Sequence, residues 1–532
     1  MTTPSEPSDA VTSERTLTLA AIGPEALPPA APSVPSWTDP TAARASEIIG
    51  GPLGRYAAPA RRWSALSVLL LITAATLLLG FAEKSPCADG NWQHNKQYTH
   101  VCYADVLPLW SAEGLDKNQL PYRDHPVEYP VLTGAFMEGS AKITRALAPL
   151  VGVGTADLGV LFGVVTVVGL SVCGLLVTYF TVRAAHGRPW DGAIFAFSPL
   201  LIFHAFSNWD LLAMAFTSAA MFAWSRRRPA TAGVLIGLGT AAKLYPGLLL
   251  VALLILAVRT GKRQHFLRCA VAAAAAWVIV NAPVAFYWFD GWKTFYTFSV
   301  RREAEASTFW AMWQYLSTGG ANRGSPGGFH PNGLLVGAVL LTALAAVAAL
   351  AWMAPTRPRL AQVTLLVVAA FLLTTKVWSP QYSLWLVPLV ALARPRWRLN
   401  LIWQCSEIAV WILTLLWLAG FTDSIRSIDY GWLMFLLLLR DALLLAILAL
   451  VVRDMWRPDL DVVRSGGAQE LYVDDPGGGV FDGAPDAWSL SAAARAERAA
   501  RRDPDLVAVA DQAELRAAEP VTGRSDSAVG GD

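Results

Sequence analysis

The chain has 532 residues, 54% of them apolar and 15% charged, with a formal net charge of +2 and a mean hydropathy of +0.41. A soluble chain carries about 25% charged residues, so this balance excludes an ordinary water-soluble domain. The positive excess is too small and too scattered for a nucleic-acid partner, and the charges crowd into short clusters and the two ends of the chain.

Residues 1–62 are rich in Pro, Ala, Ser and Thr and read as a disordered cytoplasmic leader. They lack the early basic and apolar regions of a signal peptide. Apolar runs long enough for a bilayer of about 30 Å, at 1.5 Å per residue, then dominate residues 63–452. The expected architecture is an all-α, polytopic transmembrane bundle of about twelve spans. The spans fall near Ser64–Phe81, Asp157–Val182, Gly192–Phe206, Leu211–Trp224, Ala230–Ala242, Pro246–Val258 and Leu267–Phe289. Asn332–Met353, Ala361–Lys376, Gln381–Ala393, Leu399–Phe421 and Gly431–Val452 complete the set.

Basic clusters such as Arg61/Arg62, Arg183/Arg188, Arg226–Arg228, Arg357/Arg359 and Arg453/Arg457 occupy every second boundary. Under the positive-inside rule, both termini are then cytoplasmic and the alternate loops extracytoplasmic. Residues 82–156 form a large first outer loop and residues 290–331 a second, with tight turns near Asn208, Lys243, Ser379 and Asp423. Within the first loop, Glu138, Lys142 and Arg145 interrupt Glu128–Leu150. At about 2.5–3.5 kcal/mol per charge at a helix centre, that stretch reads as an amphipathic helix on the outer leaflet. Residues 453–532 form an acidic, disordered cytoplasmic tail, with a short helix near Ala492–Arg502. Cys173, Cys269 and Cys405 sit in apolar runs as packing residues, whereas Cys87 and Cys102 form a disulfide if their loop lies outside. No P-loop, nucleophile elbow, dinucleotide fingerprint or zinc-like cysteine spacing occurs, so no metal site and no cofactor is expected, with a divalent ion left open.

The polar residues with chemical potential gather on the outer side. Asp105 follows the first span beside Tyr103, where partial desolvation makes a carboxylate a better base. Its plainer role is a loop aspartate capping a helix. Downstream lie Tyr122, Arg123, His125, Glu128 and Tyr129, with the histidine as readily an ordinary loop residue. Asp210, beside Asn208, either caps the next helix or serves a site. Lys243, before Tyr245, lies at a helix break, where a lysine pairs with an acid or binds an anion. Lys376 reaches for a phosphate or snorkels to headgroups, and Arg301 and Arg302 grip a phosphate or rest on lipid. Trp310, Gln314, Trp378, Gln381 and Tyr382 suit sugar contacts, although an interfacial aromatic belt explains the tryptophans at lower cost. Arg440–Asp441, within the last span, reads as a structural pair neutralised by Glu407, Gln404 or a backbone group.

Cations facing a carboxylate loop suit a lipid-phosphate sugar donor: the carboxylate deprotonates the attacking hydroxyl and the cations stabilise the leaving phosphate. The Tyr-x-Asp after the first span, the Pro121-Tyr122 and Glu128-Tyr-Pro130 motifs, Lys243-Leu-Tyr-Pro246 and Ser379-Pro-Gln-Tyr382 resemble the bacterial GT-C glycosyltransferases. The likeness is to glycosyltransferase family 87, the actinobacterial polyprenol-phosphate-mannose-dependent α-1,2-mannosyltransferase group, and it covers roughly Ser64–Val452. It implies a GT-C fold in the plasma membrane and inverting transfer from a polyprenyl-phosphate sugar, with Asp105 as general base. Lys243, Arg301, Arg302 and Lys376 would hold the donor phosphate, and an envelope lipid or glycan would be the acceptor. A transporter or flippase for a lipid-linked or anionic substrate is the alternative, which predicts midplane charges and paired halves. A membrane scaffold is the third reading.

Overall fold

The computed structural model describes residues 45, 47–50, 64–90, 92–320, 331–422, 427–465 and 474–491. The short helix expected near Ala492–Arg502, the turn at Asp423 and the leader before residue 45 lie outside the described residues. Among the described residues every regular element is a helix. Beside a six-residue 3-10 helix at Pro380–Trp385, the α-helices of six residues or more are α1 (Ala65–Lys84), α2 (Val106–Ala112), α3 (Val131–Val151), α4 (Leu158–Ala184), α5 (Pro199–His204), α6 (Asp210–Ser225), α7 (Pro229–Ala242) and α8 (Leu249–Thr260). They continue as α9 (Arg263–Tyr287), α10 (Phe289–Arg301), α11 (Phe309–Ser317), α12 (Gly333–Met353), α13 (Leu360–Thr374), α14 (Leu386–Ala393), α15 (Trp397–Ala419) and α16 (Tyr430–Trp456).

Six helices (α1, α4, α9, α12, α15 and α16) are long and apolar enough to cross a membrane. Five of the other expected spans are apolar helices of 10–17 residues, and a helix of 16 residues reaches only about 24 Å against a hydrocarbon layer of about 30 Å. The remaining one, Gly192–Phe206, breaks at Phe197–Ser198, because Pro199 disfavours a helical residue before it and restarts the chain as the first residue of α5. The long helices form the apolar rim: only 17% of the most apolar stretch of α12 is buried. The short helices form the centre. In α13 all but three residues are buried, from Leu360 to Leu372. A helix apolar on all sides belongs inside a bundle, so hydropathy alone could not separate a span from a core helix.

Close packing in this centre depends on small residues. Gly233 and Gly237, four apart on α7, lie against the backbone carbonyls of Cys269 and Ala273 on α9, where a Cβ would collide. Helix α3 is the expected amphipathic segment. It packs on α4 and α7, burying Met137, Ala141 and Thr144, and Lys142 pairs with Glu138 at 3.3 Å. The first loop is held in two ways. Cys87 and Cys102 are disulfide-bonded, and Tyr122 takes a left-handed φ of 68° as it wedges between Gly134 and Gly291, neither of which has room for a Cβ beside it.

The tail departs from its expected disorder. Residues 474–491 pack on the helix ends, with Phe481 fully buried, because their carboxylates meet arginines of the bundle. Cys405 is exposed on α15 rather than packed, while Cys173 and Cys269 are buried. Arg440 meets Asp441 at 2.9 Å, the Ser307 carbonyl at 2.8 Å and the Trp378 ring at 3.8 Å, while its buried Nη1 has no hydrogen-bond partner among the described residues.

Candidate active site

The chain enters the site through Asp105, at the start of α2. Its backbone N–H donates to the Ser207 carbonyl at 2.8 Å, which ties the first loop to the α5–α6 turn. The carboxylate caps no helix. Instead it accepts from the Tyr103 hydroxyl on Oδ1 and from the Asn208 amide on Oδ2, each at 2.8 Å. The same amide nitrogen donates to the Tyr129 hydroxyl at 2.9 Å. Burial holds the Asp105 carboxyl above the ordinary range, and the hydrogen bonds from Tyr103 and Asn208 only partly offset it. The result is a half-buried carboxylate fixed in orientation.

Lys243 occupies the break after α7. Its Nζ donates to Asp210 Oδ2 at 2.8 Å and stands 4.7 Å from the Tyr382 ring centroid. Asp210 also accepts from Trp385 Nε1 at 2.7 Å. Trp385 is sandwiched between Tyr245 and Tyr382, with centroids at 4.1 and 4.2 Å. An aromatic stack braced by an ion pair thus forms one wall. The opposite wall comes from the segment after α10. Lys376 Nζ donates to the Val300 and Arg302 carbonyls at 2.7 and 2.5 Å. Arg302 lies 3.8 Å from Glu305, whose Oε1 accepts from Ser379 at 2.9 Å. Burial raises both the Glu128 and Glu305 carboxyls, with Arg302 pulling each back down.

These walls enclose a cavity of about 550 Å³, within the size range of ligand sites, about 300–1,000 Å³. Of the residues singled out from sequence, Tyr103, Asp105, Glu128, Tyr129, Asn208, Lys243, Tyr245, Arg302, Lys376, Gln381 and Tyr382 line it. Asp210 stands behind Lys243 as its counter-ion.

Others are placed elsewhere. Arg301 faces a second cavity of about 470 Å³, with Glu303, Thr414 and Trp417, and only Phe298 and Arg302 line both. Tyr122 points its hydroxyl at the Tyr129 and Pro130 carbonyls as a loop wedge. Arg123 pairs with its neighbour Asp124 at 2.8 Å, and His125 lies 3.6 Å from Glu113. Trp310 donates to the Thr374 carbonyl and Trp378 to Ser383, both buried away from the cavity. Gln314 lies on α11, outside the lining. Among the residues passed over are Phe295, Phe298, Phe371 and Trp385, which line the cavity, and Glu305, which braces Arg302. Trp385, three residues after Tyr382, had a usable signal in that spacing. Among the described residues no group of three or more His, Cys, Asp or Glu side chains is placed to hold a metal ion.

Residues 144–380 match the model of glycosyltransferase family 87, the family that the ordered motifs resemble. Asn208, Lys243, Arg302 and Lys376 fall inside the matched stretch, and Asp105 precedes it. No curated protein matches the chain.

Proposed function

The chain is a multi-pass membrane glycosyltransferase with a family 87 region, and on that premise we propose that the cavity transfers a sugar, mannose by family likeness, from a polyprenyl-phosphate donor. The acceptor is an envelope lipid or glycan, the cavity faces the outside of the plasma membrane, both termini are cytoplasmic, and the transfer inverts. The observation that carries this reading is the convergence of one oriented carboxylate and three cationic side chains on a single volume bounded by aromatic rings.

In the proposed step, Asp105 accepts the proton of the acceptor hydroxyl while that oxygen bonds to the anomeric carbon. The bond from this carbon to the phosphate oxygen breaks, and its electron pair leaves on the phosphate. Arg302, Lys243 and Lys376 face the charge that develops there. Each lysine ammonium has three donors. Lys376 commits two to carbonyls and Lys243 one to Asp210, so both keep N–H groups for phosphate oxygens. Tyr103 and Asn208 hold Asp105 in position, and the Tyr245–Trp385–Tyr382 stack offers a flat face for a sugar ring.

The test is incubation of the purified protein with radiolabelled polyprenyl-phosphate-mannose and an envelope lipid extract, followed by product analysis. A labelled glycolipid is expected from the native chain and none from Asp105→Asn at equal expression and insertion. Undiminished transfer by that variant removes the base. Labelled donor crossing sealed vesicles without covalent change favours a flippase instead.

A further inference from the structure

The carboxylate-rich segment after α16 is fastened across the ends of the helices, and charge does most of the fastening. Asp461 grips Arg359 through two contacts of 2.7 and 3.0 Å, while the same guanidinium donates to the Leu392 and Ala393 carbonyls at the end of α14. Asp486 grips Arg259 through contacts of 2.9 and 2.6 Å, and the Ala487 and Trp488 N–H groups close on the Arg259 carbonyl. Asp474 bonds Arg357. The Asp475 carboxylate accepts the first N–H of α13, from Leu360, at 2.8 Å. Trp224, at the end of α6, donates to the Gly478 carbonyl at 2.9 Å and packs on Phe481. Arg259 is 0% exposed and Arg359 2%.

The helices so fastened are also the ones that build the cavity. Helix α6 begins at Asp210, behind Lys243, and ends at the clasped Trp224. Tyr245 lines the cavity, and the α8 that follows it ends beside Arg259. Helix α13 starts at the capped Leu360 and leads out to Thr375 and Lys376. Helix α14 follows Trp385 and ends at the carbonyls held by Arg359. Each spans only about 12–24 Å at 1.5 Å per residue. Buried packed helices move as rigid bodies, so a change in spacing at one end reaches the other.

We propose that residues 461–465 and 474–491 form a charge-latched clasp whose engagement at one end of the short helices sets the shape of the cavity at their other end. The latch places control of the cavity at the other end of these helices, where Asp474 stays partly exposed. This coupling does not depend on the sugar chemistry proposed above.

The test uses full-length protein in lipid nanodiscs, carrying Thr375→Cys as a cavity reporter and Cys405→Ser to remove the exposed thiol. Release of the clasp is read as the rate of proteolytic cleavage within 474–491, and the state of the cavity as the rate of maleimide labelling at position 375. Asp486→Asn is expected to raise cleavage about tenfold and to change labelling by about threefold or more, and Asp486→Glu to leave both near the native rates. Asp474→Asn, at a partly exposed carboxylate, repeats the experiment with a milder release if Asp486→Asn fails to fold. Faster cleavage with unchanged labelling overturns the coupling, and unchanged cleavage overturns the latch.

Discussion

The two ends of the short central helices use the same residue types in opposite ways. At the clasp end, arginines and aspartates meet at short range and full burial, as in Arg359–Asp461. At the cavity end, Asp105 and Glu128 share an open volume with Lys243, Arg302 and Lys376, and the carboxyl of Asp105 is held mainly by neutral partners, Tyr103 and Asn208. A buried ion pair whose members satisfy each other has nothing left for a ligand, whereas a carboxylate oriented by neutral donors keeps its negative charge for chemistry. The cavity end holds an ion pair too, Lys243–Asp210, so what separates the two ends is the donors left over: Lys243 commits one of three N–H groups to Asp210, while the Arg359 guanidinium spends four on Asp461 and two carbonyls.

Substitutions at the two ends should therefore fail in different ways. The widest divergence is expected between Asp105→Asn, whose product should fall below detection in the labelling assay, and Arg359→Gln. The first should lower transfer by about 10²–10⁴-fold and leave thermal melting in detergent unchanged. The second should strand Asp461 and cost about 3–5 kcal/mol of stability, read as a lower melting temperature. Equal loss of melting in both would erase the distinction. Next comes Cys102→Ser, which opens the loop that carries Asp105 and should destabilise it by about 3 kcal/mol, read by limited proteolysis after residue 87.

A subtler change is expected from Asn208→Ala. The amide hydrogen bond favours the charged form of Asp105, so its loss should raise that carboxyl further above its ordinary value. Because the base works ionised, kcat/KM falls as pH drops through this pKa, and the acid limb of the profile should move to higher pH. An unmoved limb would mean that another group titrates there. Least of all should follow from Arg123→Ala, an exposed residue outside the cavity, with melting and transfer both unaltered.

Much of the site could be read from the chain because its residues sit where helices break. Lys243 before Tyr-Pro, Gln381-Tyr382 after Ser-Pro, and Asn208 between two apolar runs all interrupt hydropathy, and all line the cavity. The second outer stretch was less legible. Arg301 and Arg302 are adjacent and identical in type, yet α10 ends between them, so one lines only the second cavity and the other lines both. Trp310 and Trp378 looked like sugar platforms, but each indole N–H finds a partner in the interior. The expected count of about twelve spans includes α13, which is as apolar as the six membrane-length helices but has 15 residues and is almost wholly buried. The tail misled because acidic, small-residue composition signals disorder only when nothing of opposite charge awaits it, and Arg259, Arg357 and Arg359 await it.

The Cys87–Cys102 bond also orders the enzyme's life in time. Such bonds form in oxidising surroundings, and until this one closes, the segment between Lys84 and Val106 that carries Asp105 lacks its covalent link. On the proposed outward-facing orientation, closure of this bond follows export of the segment, and a polypeptide whose first loop stays in reducing surroundings would present Asp105 without that covalent tie.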